Sequence, residues 1–198
     1  MRWSRLKARI EERFAPNLHG RVEIFVTRYR AAHDQAGEAF ILVDSERIAS
    51  MGEIAYWRHR LTLERRLQQE RGCADWRDPA QAGGYRAAAH EAQRTARDNE
   101  VYSDAEVKDA LFASLSLSID AALASEDPIM RAFALLDRRL GKRRLAALDV
   151  SQDTALARRF HALRCDAEGL RAPTISFAPD LRAPAADGQG ASAASFDK

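Results

Sequence analysis

Cysteine is nearly missing from this chain, with two in 198 residues. Cys73 and Cys165 stand far apart and form no Cys-x-x-Cys pair, so a disulfide framework is excluded and reduced thiols in a cytoplasmic protein are expected. No run approaches the roughly 18 apolar residues of a membrane span. The basic start, Met1 to Lys7, is followed by no apolar stretch, so a secretory signal is not expected there. Nucleophile-elbow, phosphate-loop, dinucleotide-binding and zinc-protease spacings are all absent. No cofactor, metal or catalytic residue is therefore expected, and an enzyme is the less favoured reading. Lysine is scarce as well, at positions 7, 108, 142 and 198 only. The arginine excess, together with abundant alanine, reads as coding bias rather than as selection for phosphate.

What is present is enough apolar material for a core, at 46% hydrophobic residues. The formal charge of +2 names no partner. Its distribution says more: basic residues crowd residues 1–30, and a second knot runs Arg138-Arg139-Leu140-Gly141-Lys142-Arg143-Arg144.

The pattern of side chains predicts an α+β fold. Trp3, Leu6, Ile10 and Phe14 share one helical face, and Pro16 ends that helix. Residues 21–50 read as a three-stranded antiparallel β-meander. Val22, Ile24 and Val26 lie on one face of its first strand, residues 39–43 form the central strand, and Asp44-Ser45-Glu46 makes a tight turn. Residues 51–169 read as a bundle of about five or six helices, over 51–71, 79–98, 104–124, 128–140, 142–148 and 153–168. Ser50 to Glu53 and Ser103 to Glu106 fit the capping box. Asp78-Pro79 and Asp127-Pro128 fit helix starts, and Gly141 and Gly169 fit left-handed C-caps. The apolar faces expected to point inward include Ile54, Trp57 and Leu61; Val107, Leu111 and Leu115; Ile129, Phe133 and Leu136; Leu156, Phe160 and Leu163. Two places stay open: Gly83-Gly84 weakens the 79–98 helix, and residues 113–119 fit a helix or a strand. Residues 1–171 are expected to form one domain. Residues 172–198, with three prolines in an Ala/Ser/Gly/Asp background, are expected to be a disordered tail.

Three groups of residues have chemical potential. Arg28, Arg30, His33 and Asp34 gather at the first hairpin, where a histidine beside an aspartate and guanidiniums suits a phosphorylated substrate. Solvated hairpin residues are the plainer account, since no nucleophile or metal set completes the site. His161 and Cys165, four apart on one helix face, would make half a zinc site. Only Cys73 and His59 offer completion, and ordinary packing is expected instead. Arg138, Arg139, Lys142, Arg143 and Arg144, with the following segment to Arg159, superficially match a helix-turn-helix. Against that, the turn lacks its glycine, Arg158 occupies an inward position, and Asp149 and Asp153 would face phosphates.

Several of these segments resemble a known family. Met1-Arg2-Trp3-Ser4 with Leu6-Lys7, Thr27-Arg28-Tyr29-Arg30 with His33-Asp34-Gln35 and Gly37, Leu136-Asp137-Arg138-Arg139 with Gly141-Lys142-Arg143-Arg144-Leu145, and Arg164-Cys165 with Ala167-Glu168-Gly169 are similar to a family of small bacterial proteins known by a locus-tag name and without an assigned activity. The resemblance spans about residues 1–170. It implies that the Thr27–Gln35 hairpin and the Asp137–Leu145 segment are the places to look.

The expectation is a cytoplasmic, non-catalytic protein that binds a protein partner and no membrane. A nucleic-acid-binding regulator using residues 138–144 is the alternative, and a hydrolase acting on a phosphorylated substrate at residues 28–34 is the second. A protein-binding surface would show as an exposed apolar patch.

Overall fold

The structure, a computed structural model, describes residues 2–28 and 37–170. The chain opens with α1 (Trp3–Glu11), passes through a short 3-10 turn (Pro16–Leu18), and enters β1 (Val22–Arg28), β2 (Gly37–Val43) and β3 (Glu46–Gly52). The helices that follow are α2 (Glu53–Glu70), α3 (Ala82–Asp98), α4 (Asp104–Ser114), α5 (Ile119–Leu123), α6 (Pro128–Ala134), α7 (Lys142–Ala147) and α8 (Ala155–Ala167).

The sheet is the antiparallel meander β1-β2-β3, with β2 in the middle. Val22 pairs with Val43 and Val43 with Glu46. Between them Asp44 and Ser45 take φ of 49° and 67°, the left-handed pair that a two-residue hairpin turn needs to match strand twist. Arg21 holds that turn from outside, donating to both Asp44 carboxylate oxygens at 2.9 and 2.8 Å. The free edge of β1 is covered by α1, where the Glu11 carboxylate accepts the Ile24 N–H at 3.3 Å.

One core joins the sheet to the helices. Val22, Ile24, Ala39, Ile41, Ile48 and Met51 supply the sheet face; Leu6, Ile10, Val107, Leu111, Ile129, Leu136 and Phe160 supply the helices. Phe133 links Phe14 and Phe160, with ring centroids 6.3 and 5.3 Å away. The segment after α1 and the segment after α6 meet in an isolated antiparallel bridge, Phe14 with Asp137.

Several expected boundaries move. β3 runs through to Gly52, so Ser50 caps nothing; its hydroxyl donates to the Glu38 carboxylate instead. Gly52 precedes α2 without a side-chain cap. α3 starts at Ala82, because Asp78 spends its carboxylate on an Ala80 turn, and the helix is continuous through Gly83-Gly84. The span 104–124 breaks into α4 and α5: residues 115–117 form turns, and the Ser118 hydroxyl caps a new helix by accepting from Ala121. Residues 113–119 therefore contain no strand. α6 ends at Ala134, short of residue 140. Gly141 has φ −70° and begins α7 instead of closing a helix. Gly169 does close α8: at φ 68° it lets Gly169 and Leu170 donate to Asp166 and Cys165 at 2.9 and 2.8 Å. The Ser103–Glu106 capping box is present in full. Residues 172–198 lie outside the described residues, so the expected tail does too. Among the described residues, no helix is long and apolar enough to cross a membrane.

Candidate functional site

Of the hairpin candidates, Arg30, His33 and Asp34 lie outside the described residues, and Arg28 is placed only as the last residue of β1. The hairpin's base is anchored at Gly37. A Cβ there would stand 2.6 Å from Asp104 Oδ2 and 2.9 Å from the Thr27 carbonyl, so β2 can begin against the N-terminus of α4 only with glycine.

The basic segment is largely tied into the fold. Arg139 donates to both carboxylate oxygens of Asp137 and, at 2.9 Å, to the Leu117 carbonyl. Lys142 pairs with Glu168 at 2.9 Å, and Arg144 pairs with Asp120. Arg138 and Arg143 are exposed and make no ion pair among the described residues. The two helices of the helix-turn-helix resemblance, α7 and α8, are separated by residues 148–154 rather than by a tight turn. α8 buries Leu156, Phe160, His161, Arg164 and Cys165. Its N-terminus is occupied: the Glu100 carboxylate accepts from the Ala155 and Leu156 N–H groups, with Glu100 itself at φ 57°.

His161 and Cys165 are brought together, with Sγ 3.7 Å from Nε2, but Nε2 also sits 2.9 Å from the Leu145 carbonyl. Burial pushes the Cys165 thiol up, away from thiolate. Cys73 lies in the turn after α2, against the Gln68 carbonyl, and His59 bonds Asn99. Among the described residues no three His, Cys, Asp or Glu side chains are grouped to hold a metal ion.

The feature that sequence reading missed is α2. Its periodicity predicts an apolar stripe that points inward. Ile54, Trp57 and Leu61 are instead 57%, 44% and 39% exposed, while Glu64 and Gln68 of the same helix are only 8% and 9% exposed. The reason lies in α3, along which α2 packs. Ala88, Ala92 and Ala96, spaced by four, form a fully buried alanine face. Such a face admits close backbone approach but offers little apolar surface to a tryptophan. The buried residues of α2 are Tyr56, Glu64 and Gln68, and Gln68 satisfies Glu64 at 3.0 Å. Glu64 and Gln68 continue the Trp57–Leu61 stripe seven residues on, so that stripe is covered toward the C-terminal end of α2 and open toward its N-terminal end. The four-residue alanine spacing was the available signal.

Polar contacts fix this helical hairpin to the body. The Glu106 carboxylate of α4 accepts from Gln93 and Arg97 of α3 at 3.1 and 3.0 Å, from Tyr56 of α2 at 3.4 Å, and from the Ser103 N–H at 3.1 Å. Burial opposes its charge, yet the Ser103, Gln93 and Arg97 donors hold it below the ordinary carboxylate range. Glu53 at the start of α2 moves the opposite way: burial, then the neighbouring Asp104, raises its pKa. Asp104 is itself buried and paired with Lys108 at 2.7 Å. Trp57 is steadied by Arg60, whose guanidinium lies 4.9 Å from the ring centroid, and by the Tyr56 edge at 5.6 Å. Arg58 and Arg65, exposed on the same outward face, have no carboxylate partner among the described residues.

Residues 2–165 match the model of the SF0329 protein family. The chain belongs to the SF0329 family. That assignment agrees with the resemblance carried by the Trp3, Thr27–Gln35, Asp137–Leu145 and Arg164 segments. No curated protein and no solved structure matches the chain. Within this SF0329 member, the described residues place the exposed α2 stripe, the Glu53–Asp104 contact and the Arg138 segment inside the matched span.

Proposed function

We propose that this protein is a non-catalytic interaction module of the cytoplasm that docks a protein partner along the outward face of α2. The observation that supports it is a change along one stripe of that helix. Trp57, Leu61, Glu64 and Gln68 follow one another at spacings of four, three and four. The N-terminal part, with Ile54, is exposed, while Glu64 and Gln68 at the C-terminal part are covered. Leaving three large apolar side chains 39–57% exposed forfeits about 0.6–1.7 kcal/mol each relative to full burial. An unpartnered stripe of this kind is the usual mark of a helix-in-groove or helix-on-helix contact.

Charge selects the occupant. Arg58 and Arg65 lie exposed beside the stripe, while the carboxylate at its N-terminal edge, Glu53, is half-buried against Trp57 and Asp104. A second copy pairing through α2 would set two such cationic faces together, which like-charge repulsion disfavours. The fitting partner is an amphipathic helix with apolar residues bordered by aspartate or glutamate.

Two labelled amphipathic peptides of one apolar pattern, flanked by Glu or by Lys, test this by fluorescence anisotropy on the full chain. The Glu-flanked peptide is expected to bind, the Lys-flanked one at least about tenfold more weakly. Trp57→Ala with Leu61→Ser should remove the binding while the thermal midpoint stays unchanged. Equal binding of both peptides, or of neither, would overturn the reading. So would a dimer in light scattering that the double variant dissociates, which would make a second copy the occupant. Peptide binding only after removal of residues 171–198 would assign the face to the chain's own C-terminal segment.

A further inference from the structure

The two basic segments, separated by more than a hundred positions in sequence, come together in space. The Arg138 N–H donates to the Arg13 carbonyl at 2.7 Å, beside the Ala15 N–H bond to the Leu136 carbonyl at 2.9 Å. Arg13 then points its guanidinium at the C-terminal end of α4, donating to the Ser114 and Leu115 carbonyls at 3.1 and 2.6 Å. Those acceptors satisfy its N–H groups but do not cancel its charge. Asp137, the carboxylate at this junction, is taken by both nitrogens of the Arg139 fork. A cleft of about 20 Å³ is lined by Arg13, Asp137, Arg139, Phe14, Ser114 and Met130, room for about one water and no organic ligand.

The result is an inner layer of two guanidiniums and one carboxylate, with further cations outside it. Burial, followed by Arg139 and then Arg9 and Arg138, lowers the Arg13 pKa, with only Asp137 among these neighbours opposing. Arg9 and Arg138 are exposed, and Arg5 is exposed one turn before Arg9 on α1. None of the three makes an ion pair among the described residues. The apolar residues of α1, Leu6 and Ile10, are buried in the core, so this cationic surface offers no large side chain for insertion into a lipid leaflet.

We propose that Arg5, Arg9 and Arg138, over the Arg13–Asp137–Arg139 layer, form a docking surface for the phosphodiester backbone of a nucleic acid. The contact is electrostatic and reads no base, because the surface offers three separate guanidiniums, two on the outer side of α1 and one on the turn after α6, with no further polar side chains among the described residues set beside them to match base edges. The surface differs from the helix-turn-helix of the sequence resemblance: Lys142 and Arg144 take no part, being neutralised by Glu168 and Asp120.

The test uses the full chain, washed free of nucleic acid, with labelled mixed-sequence duplex DNA and single-stranded RNA at about 50 to 200 mM salt. Binding is expected to fall with salt, and the triple variant Arg5→Gln, Arg9→Gln, Arg138→Gln should lower the log–log slope by about 3. Lys142→Gln with Arg144→Gln should leave the slope unchanged. If the triple variant loses its thermal transition, Arg138→Gln alone is read, with an expected slope change of about 1. Absence of binding at the lowest salt, a triple-variant slope equal to wild type, or binding confined to phosphatidylserine vesicles would each overturn the proposal. The α2 variants are not expected to affect this binding, so the two surfaces fail or stand separately.

Discussion

The buried guanidinium of Arg164 donates to the Leu136 carbonyl at 3.1 Å, the same oxygen that receives the Ala15 N–H at 2.9 Å. One acceptor thereby joins α8, the turn after α6 and the segment after α1. Arg164 also reaches the Leu140 carbonyl at 3.4 Å and pairs with Glu168 at 2.9 Å.

Replacing Arg164 by Met should therefore cost about 3 kcal/mol, because the Leu140 carbonyl loses a donor and Glu168 loses its buried partner. Lysine should not restore it, since an ammonium cannot span two carbonyls and a carboxylate from that position. Urea unfolding of the two variants gives the comparison. A loss below about 0.5 kcal/mol for Met would show that the guanidinium is not what joins these segments.

Glu53→Gln should stabilise the protein at neutral pH. The folded-state pKa of Glu53 is raised above its ordinary 4.5 by burial and by Asp104. The folded protein thus binds the Glu53 proton at higher pH than the unfolded chain does. The cost of ionising Glu53 is fully present above the raised value and is relieved as pH falls through it toward 4.5. The advantage of the glutamine variant should accordingly be largest at neutral pH and shrink toward pH 4.5. Thermal midpoints across that window measure it, and an equal or falling stability of the variant at pH 7 would contradict the expectation.

Glu106 has the opposite sign. Its pKa is held below the ordinary 4.5 despite burial, by Ser103, Gln93 and Arg97, so its stabilisation is present above that value and is lost as pH falls through the folded pKa. Glu106→Gln should cost about 1–2 kcal/mol at neutral pH, as both a capping-box partner and the acceptor of two α3 side chains are weakened. The variant should also lose less stability than wild type in an acid titration. An acid transition unchanged by the substitution would place the responsible carboxylates elsewhere.

Two glycines should respond oppositely to alanine. Gly37→Ala would drive a Cβ to 2.6 Å from Asp104 Oδ2 and 2.9 Å from a backbone oxygen, and should destabilise by more than about 1 kcal/mol. Gly83 lies in the first turn of α3, where an added Cβ would meet nothing within 4 Å, and alanine there should stabilise by about 0.4–1 kcal/mol. Paired denaturant curves decide both.

Much of the architecture follows from local pattern. The alternation Val22, Ile24, Val26 and the Asp44-Ser45 turn determine a meander, because strand period and turn chemistry act within a few residues. Trp3, Leu6, Ile10 and Phe14 determine α1, and Ser103 with Glu106 determines the start of α4. Boundaries failed where a side chain had a distant competitor: the Ser50 hydroxyl is drawn to Glu38 across the sheet rather than to a helix N-terminus. The family is also written in the sequence, across residues 2–165.

Tertiary structure alone decided the candidate surfaces. Periodicity reveals that Ile54, Trp57 and Leu61 share a side of α2 with Glu64 and Gln68, but which part of that side is covered depends on the neighbouring elements. Net charge and basic runs likewise do not reveal which arginines are spent. Pairing with Asp137, Glu168 and Asp120 takes Arg139, Lys142 and Arg144, while the bridge between Arg13 and Arg138 brings Arg9 and Arg138 to one place. A sequence lists charges, and only the packed chain determines which of them meet a carboxylate.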